Sequence, residues 1–344
     1  MDVRLSPEQI ALRDSAAQAV DKLGPATVAQ LDDAERASKL DAAIRAAGWR
    51  ELRTPSDDGK PWASAVEVAV VAEELGRGLA DAAFLGPTLA ADLRRRSGAP
   101  PTTASETVAL VRDLSRLAEA DNDADAIAVD ALGASSALLL LAGEDGRRVG
   151  MVFLENGTTG ADLTRQVARP QRGSRATALG GQARPLPADD IARWLSLGLA
   201  VTCADLVGSM RGALTLATKY AKERKQYGEA IGSFQAVQHL LADAHVAMEG
   251  SRSIALHAAW AVDALPADDA LAAGAAAKAY CVRAARLVCE TSIQVHGGIG
   301  NTWECLAHVF LRRALFSSEV LGGVGANLER VMATRGIGGE YGLR

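Results

Sequence analysis

Over the first hundred residues, apolar side chains return every three or four positions, the spacing of helices that bury one face. Ser6-Pro7-Glu8 opens the first helix with a hydroxyl cap and a proline at the first helical position. Two further helical patterns run from Leu31 to Ala47 and from Ala63 to Leu79, parted by Gly48 and the PSDDGKP turn at 55–61. From about residue 104 the pattern changes to short apolar runs: TVALVRDL (107–114), DAIAVDAL (125–132), SSALLLLAG (135–143) and RRVGMVFLE (147–155). These predict strands, with EDGRR as a hairpin turn between the last two. Pro170, Pro185 and Pro187 lead out of this segment, and Asp189-Asp190 cap a return to helix. Helical spacing then continues almost to the C terminus, with breaks near 225–232, 264–267, 297–301 and 322–325. Helices approaching thirty residues on short connections predict an antiparallel four-helix bundle. The expected fold is mainly α with a small β segment: an N-terminal helical domain (1–103), a middle β domain (104–188) and a C-terminal bundle (189–344).

Composition narrows the function. The chain has 344 residues, is 49% hydrophobic and carries a formal net charge of -5. It has no long basic tract, so nucleic-acid binding has no electrostatic support. Thirty Arg stand against seven Lys. The amphipathic, early-acidic N-terminal stretch lacks the form of a signal peptide. No uncharged apolar run approaches the length of a bilayer span, and a cytoplasmic location is expected. Cys203, Cys281, Cys289 and Cys305 show no C-x-x-C spacing and read as buried free thiols. His239 and His245 lie six apart without an acidic residue to complete a metal set. No nucleophile-elbow or P-loop motif occurs. Trp194 and Trp303 fall at helix-packing positions.

Two breaks in the helical pattern are richer than connections require. One is ERKQYGEAIGSFQ (223–235), and the other is QVHGGIGNTWE (294–304). Arg224 and Lys225 taken singly suit the negative end of a helix dipole. Gly297, Gly298 and Gly300 taken singly are ordinary turn residues that also let a phosphate or ring come close. Together the two stretches could converge on a dinucleotide.

With the order of domains, these stretches resemble the acyl-CoA dehydrogenase family over essentially the whole chain. The resemblance implies that both grip the ADP half of FAD held mainly by a neighbouring subunit. Arg224 would then pair with the pyrophosphate, flanked by Gln226 and Tyr227, with Gln235 near a polar group. Gln294 and the backbone at Val295, Gly297 and Gly298 would line the adenosine end, and His296 would stack near the flavin or serve structure alone.

The family's reaction also needs a carboxylate base, a flavin-ring site and donors to the thioester carbonyl. The usual base position, about twenty residues past the Gly-Gly turn, is occupied by Leu321, and the alternative position on the first bundle helix is Gly198. Glu319 lies two residues from the first, a rotation of roughly 200° on a helix. The Thr-Glu-Pro and Trp-Ile-Ser/Thr stretches that usually wall the flavin ring are not found between 104 and 188. The resemblance is thus to the short, base-lacking subunit of heteromeric actinobacterial acyl-CoA dehydrogenases, some of which act on steroid side-chain thioesters. It implies FAD, an acyl-CoA substrate, a second acyl-CoA dehydrogenase-like subunit, and an electron-transfer flavoprotein as acceptor. A self-sufficient homomer using Glu319 and a non-catalytic scaffold remain as alternatives.

Overall fold

The computed structural model describes residues 4–337 apart from 121, 124, 144 and 181–182. The chain opens with α1 (Pro7–Leu23), α2 (Ala34–Ala46), α3 (Ala65–Arg77) and α4 (Leu85–Ser97). Ser6 begins α1 as the sequence leads one to expect. Its Oγ accepts from the Gln9 N–H at 3.2 Å while Gln9 Oε1 accepts from the Ser6 N–H at 3.0 Å, a reciprocal capping box.

The middle segment holds β1 (Glu106–Leu110), β2 (Ile127–Val129), β3 (Ser136–Leu141), β4 (Arg148–Phe153), β5 (Thr158–Thr159), β6 (Gln166–Val167) and β7 (Thr177–Ala178). Five of these form one sheet in the order β2-β1-β3-β4-β7, antiparallel except for the β1–β3 pair. The four strands read from the sequence are present but shorter, because the runs after β1 and β2 turn away from the ladder. β3 and β4 pair antiparallel as expected, although Glu144 of the EDGRR turn lies outside the described residues. Alternation divides the sheet: Val108, Leu110, Leu138 and Leu140 face the main core, while Ala109, Ala137, Leu139 and Val152 build a smaller one behind it.

The C-terminal part comprises α5 (Ala188–Glu223), a hairpin of β8 (Lys225–Gln226) and β9 (Glu229–Ala230), α6 (Gln235–Ala264), α7 (Ala267–His296), α8 (Ala307–Glu319) and α9 (Val324–Thr334). Only three of the bundle helices are long. The fourth place is taken by α8, with 13 residues, and α9 packs against α7. By length and composition α5 could cross a membrane, but 78% of its most apolar window is buried, which makes it the central core helix. Its Trp194 donates its indole N–H to the Leu89 carbonyl at 2.9 Å and so ties the bundle to α4. Trp303 corrects the sequence reading. It is 63% exposed in the connection before α8, because the glycine-rich break carries it clear of any helix interface.

Candidate functional site

Both motif stretches lie at the same end of the bundle. Val295 packs with Ala217 and Ala221 of α5, and Tyr220, Ile231, Val237 and Leu241 close around them. Tyr220 also stacks on His296 at 4.5 Å between centroids, and His296 Nδ1 lies 2.7 Å from the Ser292 carbonyl. His296 is thereby fixed in the bundle, a structural placement.

From this base the clamp residues project outward. β8 and β9 are joined by Tyr227 and Gly228, both at positive φ (56° and 86°), as in the two-residue hairpins that need a left-handed turn. The Tyr227 ring is 92% exposed at this turn, edge-on to Phe234. Arg224, Gln226, Gln235 and Gln294 are exposed as well, and the Arg224 guanidinium has no hydrogen bond or ion pair with any described residue. Gly297 closes α7 at φ 64° and ψ -141°, with its N–H turned back to the Gln294 and Ile293 carbonyls. A ligand would therefore meet Gly297 by close approach rather than through that N–H. A Cβ on Gly297 or Gly298 would meet nothing within 4 Å, so the approach is open. A free guanidinium, three exposed amides and an open glycine surface suit the ADP half of a dinucleotide.

The positions expected to carry a base meet inside the molecule. A Cβ built on Gly198 would lie 2.2 Å from Leu321 Cδ1 and 3.5 Å from both Leu89 methyls, so Leu321 fills the space over that glycine. Leu321 is fully buried at φ 60°, a conformation uncommon for a residue with a branched side chain. Several bonds hold it there. Its N–H donates to the Leu114 carbonyl at 2.7 Å, Arg330 Nη1 donates to the Leu321 carbonyl at 2.5 Å, and Asn327 donates to the Gly322 carbonyl at 2.7 Å. Buried Lys278 completes the brace from α7, donating to the Val320 carbonyl at 2.8 Å. Burial pulls this ammonium down to about 8 against the pull of the nearby thiols and carboxylates. Glu319 stands exposed at the end of α8, outside this packed space.

About two turns further along α5, facing α8, the interior is ionic. Asp205 accepts from Arg313 Nη2 at 2.7 Å and from the Ser317 hydroxyl at 2.7 Å, and pairs with Arg165 Nη2 at 2.8 Å. Arg313 also donates to the Ala80 carbonyl at 2.9 Å and to Thr164 Oγ1 at 2.8 Å. Burial would raise the Asp205 carboxyl, but Arg165 and then Arg313 outweigh it and hold it at about 2. The cavity beside the cluster encloses about 10 Å³, room for one water. These side chains join the β domain, α5 and α8 and fill the interior between them. The sequence reading missed this cluster. Its one visible sign is Asp205 standing alone in the apolar run LGLAVTCADLVG.

A family model described as "Acyl-CoA dehydrogenase, C-terminal domain" matches residues 191–336. Acyl-CoA dehydrogenase IpdE2 of Mycobacterium tuberculosis is 30% identical over 327 residues, covering 91% of this chain and 93% of that one. Among solved structures, the ChsE4–ChsE5 complex from Mycobacterium tuberculosis is similar with a TM-score of 0.80 at 23% identity, over 98% of this chain and 99% of the other. The Tcur3481–Tcur3483 steroid ACAD G363A variant is similar with a TM-score of 0.79 at 24% identity, over 96% and 98%.

Proposed function

The chain belongs to the acyl-CoA dehydrogenase family, whose cofactor is FAD, and from that premise we propose that it is the FAD-lending subunit of a heteromeric enzyme. The observation that carries this reading is the contrast between its two sites. The clamp is exposed, unpartnered and open, while the space around Gly198 and Leu321 is packed solid. A partner subunit would supply the base and the flavin-ring pocket. The complex would dehydrogenate an acyl-CoA at its α and β carbons and pass electrons to an electron-transfer flavoprotein. When bound, the flavin accepts the hydride; the part played by this chain is to neutralise the pyrophosphate with Arg224 and to position the ADP half with Gln226, Gln235 and Gln294. Likeness to a structure titled a steroid acyl-CoA dehydrogenase supports a bulky, steroid-derived thioester. Four buried free thiols suit a reducing compartment such as the cytoplasm.

The test is the visible spectrum of the purified chain, alone and co-expressed with a longer family member. Flavin absorbance only in the co-expressed sample, at about one FAD per pair of chains, is the expected result. A full flavin complement in the chain alone would overturn the proposal.

A further inference from the structure

α5 and α7 end together beneath the clamp, and their last turns meet ring to ring. Tyr220 of α5 lies on His296, the final residue of α7, with centroids 4.5 Å apart and planes inclined by 28°. The imidazole is tethered as well as stacked. Its Nδ1 is 2.7 Å from the Ser292 carbonyl, and since a carbonyl only accepts, Nδ1 carries the proton and donates it. Ser292 is tied in turn to α5, its hydroxyl donating to the Ala213 carbonyl at 2.9 Å. The Tyr220 hydroxyl makes no hydrogen bond with any described residue, so the ring face is what this tyrosine contributes.

Each ring belongs to the base of one half of the clamp. The Tyr220 carbonyl accepts from the Arg224 N–H at 2.8 Å, closing α5 where the hairpin leaves it. His296 stands two residues from Gln294 and next to Gly297, whose positive φ ends α7. The side chains above supply no hold of their own. Among the described residues, those of Arg224, Gln226, Gln235 and Gln294 form no hydrogen bond or ion pair. The spacing between the Arg224 half and the Gln294 half is therefore set from beneath. The contact of Ala217 and Ala221 with Val295 there is apolar and non-directional, whereas a tethered pair of stacked planes has a preferred geometry. We propose that the Tyr220–His296 stack is the positioning element that fixes the spacing of the two halves for the ADP half of FAD, an inference that rests on the shared-flavin reading above. The two rings act through Arg224 and Gln294 and need not touch the cofactor. A spacing set before binding removes the ordering cost that two loose halves would carry.

NMR of the isolated full-length chain reads the stack. Flavin retained through gel filtration reads the clamp, in a pair formed with a longer acyl-CoA dehydrogenase that carries a glutamate at the base position and is encoded beside its gene. The chain has five histidines, so the His296 ring C–H lines are assigned by their absence from His296→Gln. In the wild type they are expected upfield, shifted by the Tyr220 ring current; unshifted lines overturn the stack itself. Tyr220→Phe is expected to keep both the shift and the FAD. Tyr220→Leu is expected to lose the shift and to weaken FAD retention about tenfold, in a pair that still sediments together. Unchanged retention in Tyr220→Leu overturns the positioning role if Arg224→Ala loses FAD; if Arg224→Ala keeps it too, the shared-flavin reading falls as well. Equal loss in Tyr220→Phe and Tyr220→Leu assigns the hydroxyl to the ligand and overturns positioning by the ring. Dissociation of the Tyr220→Leu pair does the same by assigning the residue to assembly. A wild-type pair without FAD overturns both readings.

Discussion

The contact between Gly198 and Leu321 can be tested by a double-mutant cycle. Gly198→Ala adds a methyl 2.2 Å from Leu321 Cδ1, which must move. Alanine in a helix interior gains about 1 kcal/mol over glycine, but overpacking costs about 1–3 kcal/mol, so a net loss of up to about 2 kcal/mol is expected. Leu321→Ala empties a fully buried site and costs about 2–5 kcal/mol. In the double variant the clash is gone, the new methyl occupies part of the void, and the helical gain remains. The double variant is therefore expected to be about 1–3 kcal/mol more stable than the sum of the single losses predicts. Urea unfolding of the isolated chain supplies all four free energies, provided the slopes agree. Additivity within about 0.5 kcal/mol would refute the packing of Leu321 over Gly198, and with it this support for the proposed role. The same geometry predicts that Leu321→Glu confers no dehydrogenase turnover on the chain alone, because the carboxylate has no substrate space to face.

Arg224→Ala in the assembled complex is expected to weaken FAD retention about 10- to 100-fold, the loss of charge-assisted bonds to a phosphate, read by flavin release during gel filtration. Asp205→Asn leaves the Arg313 guanidinium buried without its counter-charge, and Arg165 with only the longer pairing to Asp162 at 3.9 Å, and should cost about 3–5 kcal/mol, read by urea midpoint; a loss below 1 kcal/mol would contradict the cluster. The Asp205 carboxyl is depressed from 3.8 to about 2, so its stabilisation is complete above pH 3.8 and is lost as pH falls through 2, about 2 kcal/mol in all. Wild-type stability should therefore decline below pH 4 more steeply than that of the Asp205→Asn variant. Lys278 is depressed from 10.5 to about 8, so the unfolded chain binds the extra proton between these values and stability rises with pH across them. Cys289, raised by burial from 9.0 to about 12, acts in the opposite direction above pH 9, but equally in wild type and Lys278→Met. Cys281, a buried thiol facing Lys278, titrates differently in the two proteins above pH 9, so the comparison is made from pH 8 to 9, where the difference should change by about 1 kcal/mol in favour of wild type.

Much of the architecture was legible because it rests on local rules. Ser6 and Pro7 announce the start of α1, and the glycines at 297 and 298 announce the end of α7. The change of period near residue 104 marks the sheet. What escaped depends on residues brought together by the fold. Asp205, Arg165 and Arg313 are separated by 40 to 148 positions and become one cluster only when α5, α8 and the β domain close on each other. Trp303 has helical spacing to its neighbours but belongs to a connection, where Arg312 lies over its ring at 5.8 Å and His308 meets its edge. Periodicity cannot tell a helix interior from the loop that follows a glycine break.

The pairing of Gly198 with Leu321 shows how an absence in sequence becomes an observation in structure. Two positions, 123 residues apart, were each marked by lacking an acid, and either lack alone could be met by a carboxylate from nearby. The fold removes that freedom. The side chain of one position occupies the volume over the other, and the turn at 320–322 is fixed from Leu114, Asn327, Arg330 and Lys278 at once. Glu319 would have to displace Leu321 and break those bonds to enter, whereas at the clamp no rearrangement is needed to expose Arg224. The asymmetry is energetic: the packing of Leu321 over Gly198 is stabilised by burial and hydrogen bonds, whereas Arg224 is exposed without rearrangement. On the proposed reading such a chain would gain cofactor contacts only by association, so flavin content per pair, rather than per chain, is the quantity that tests its role.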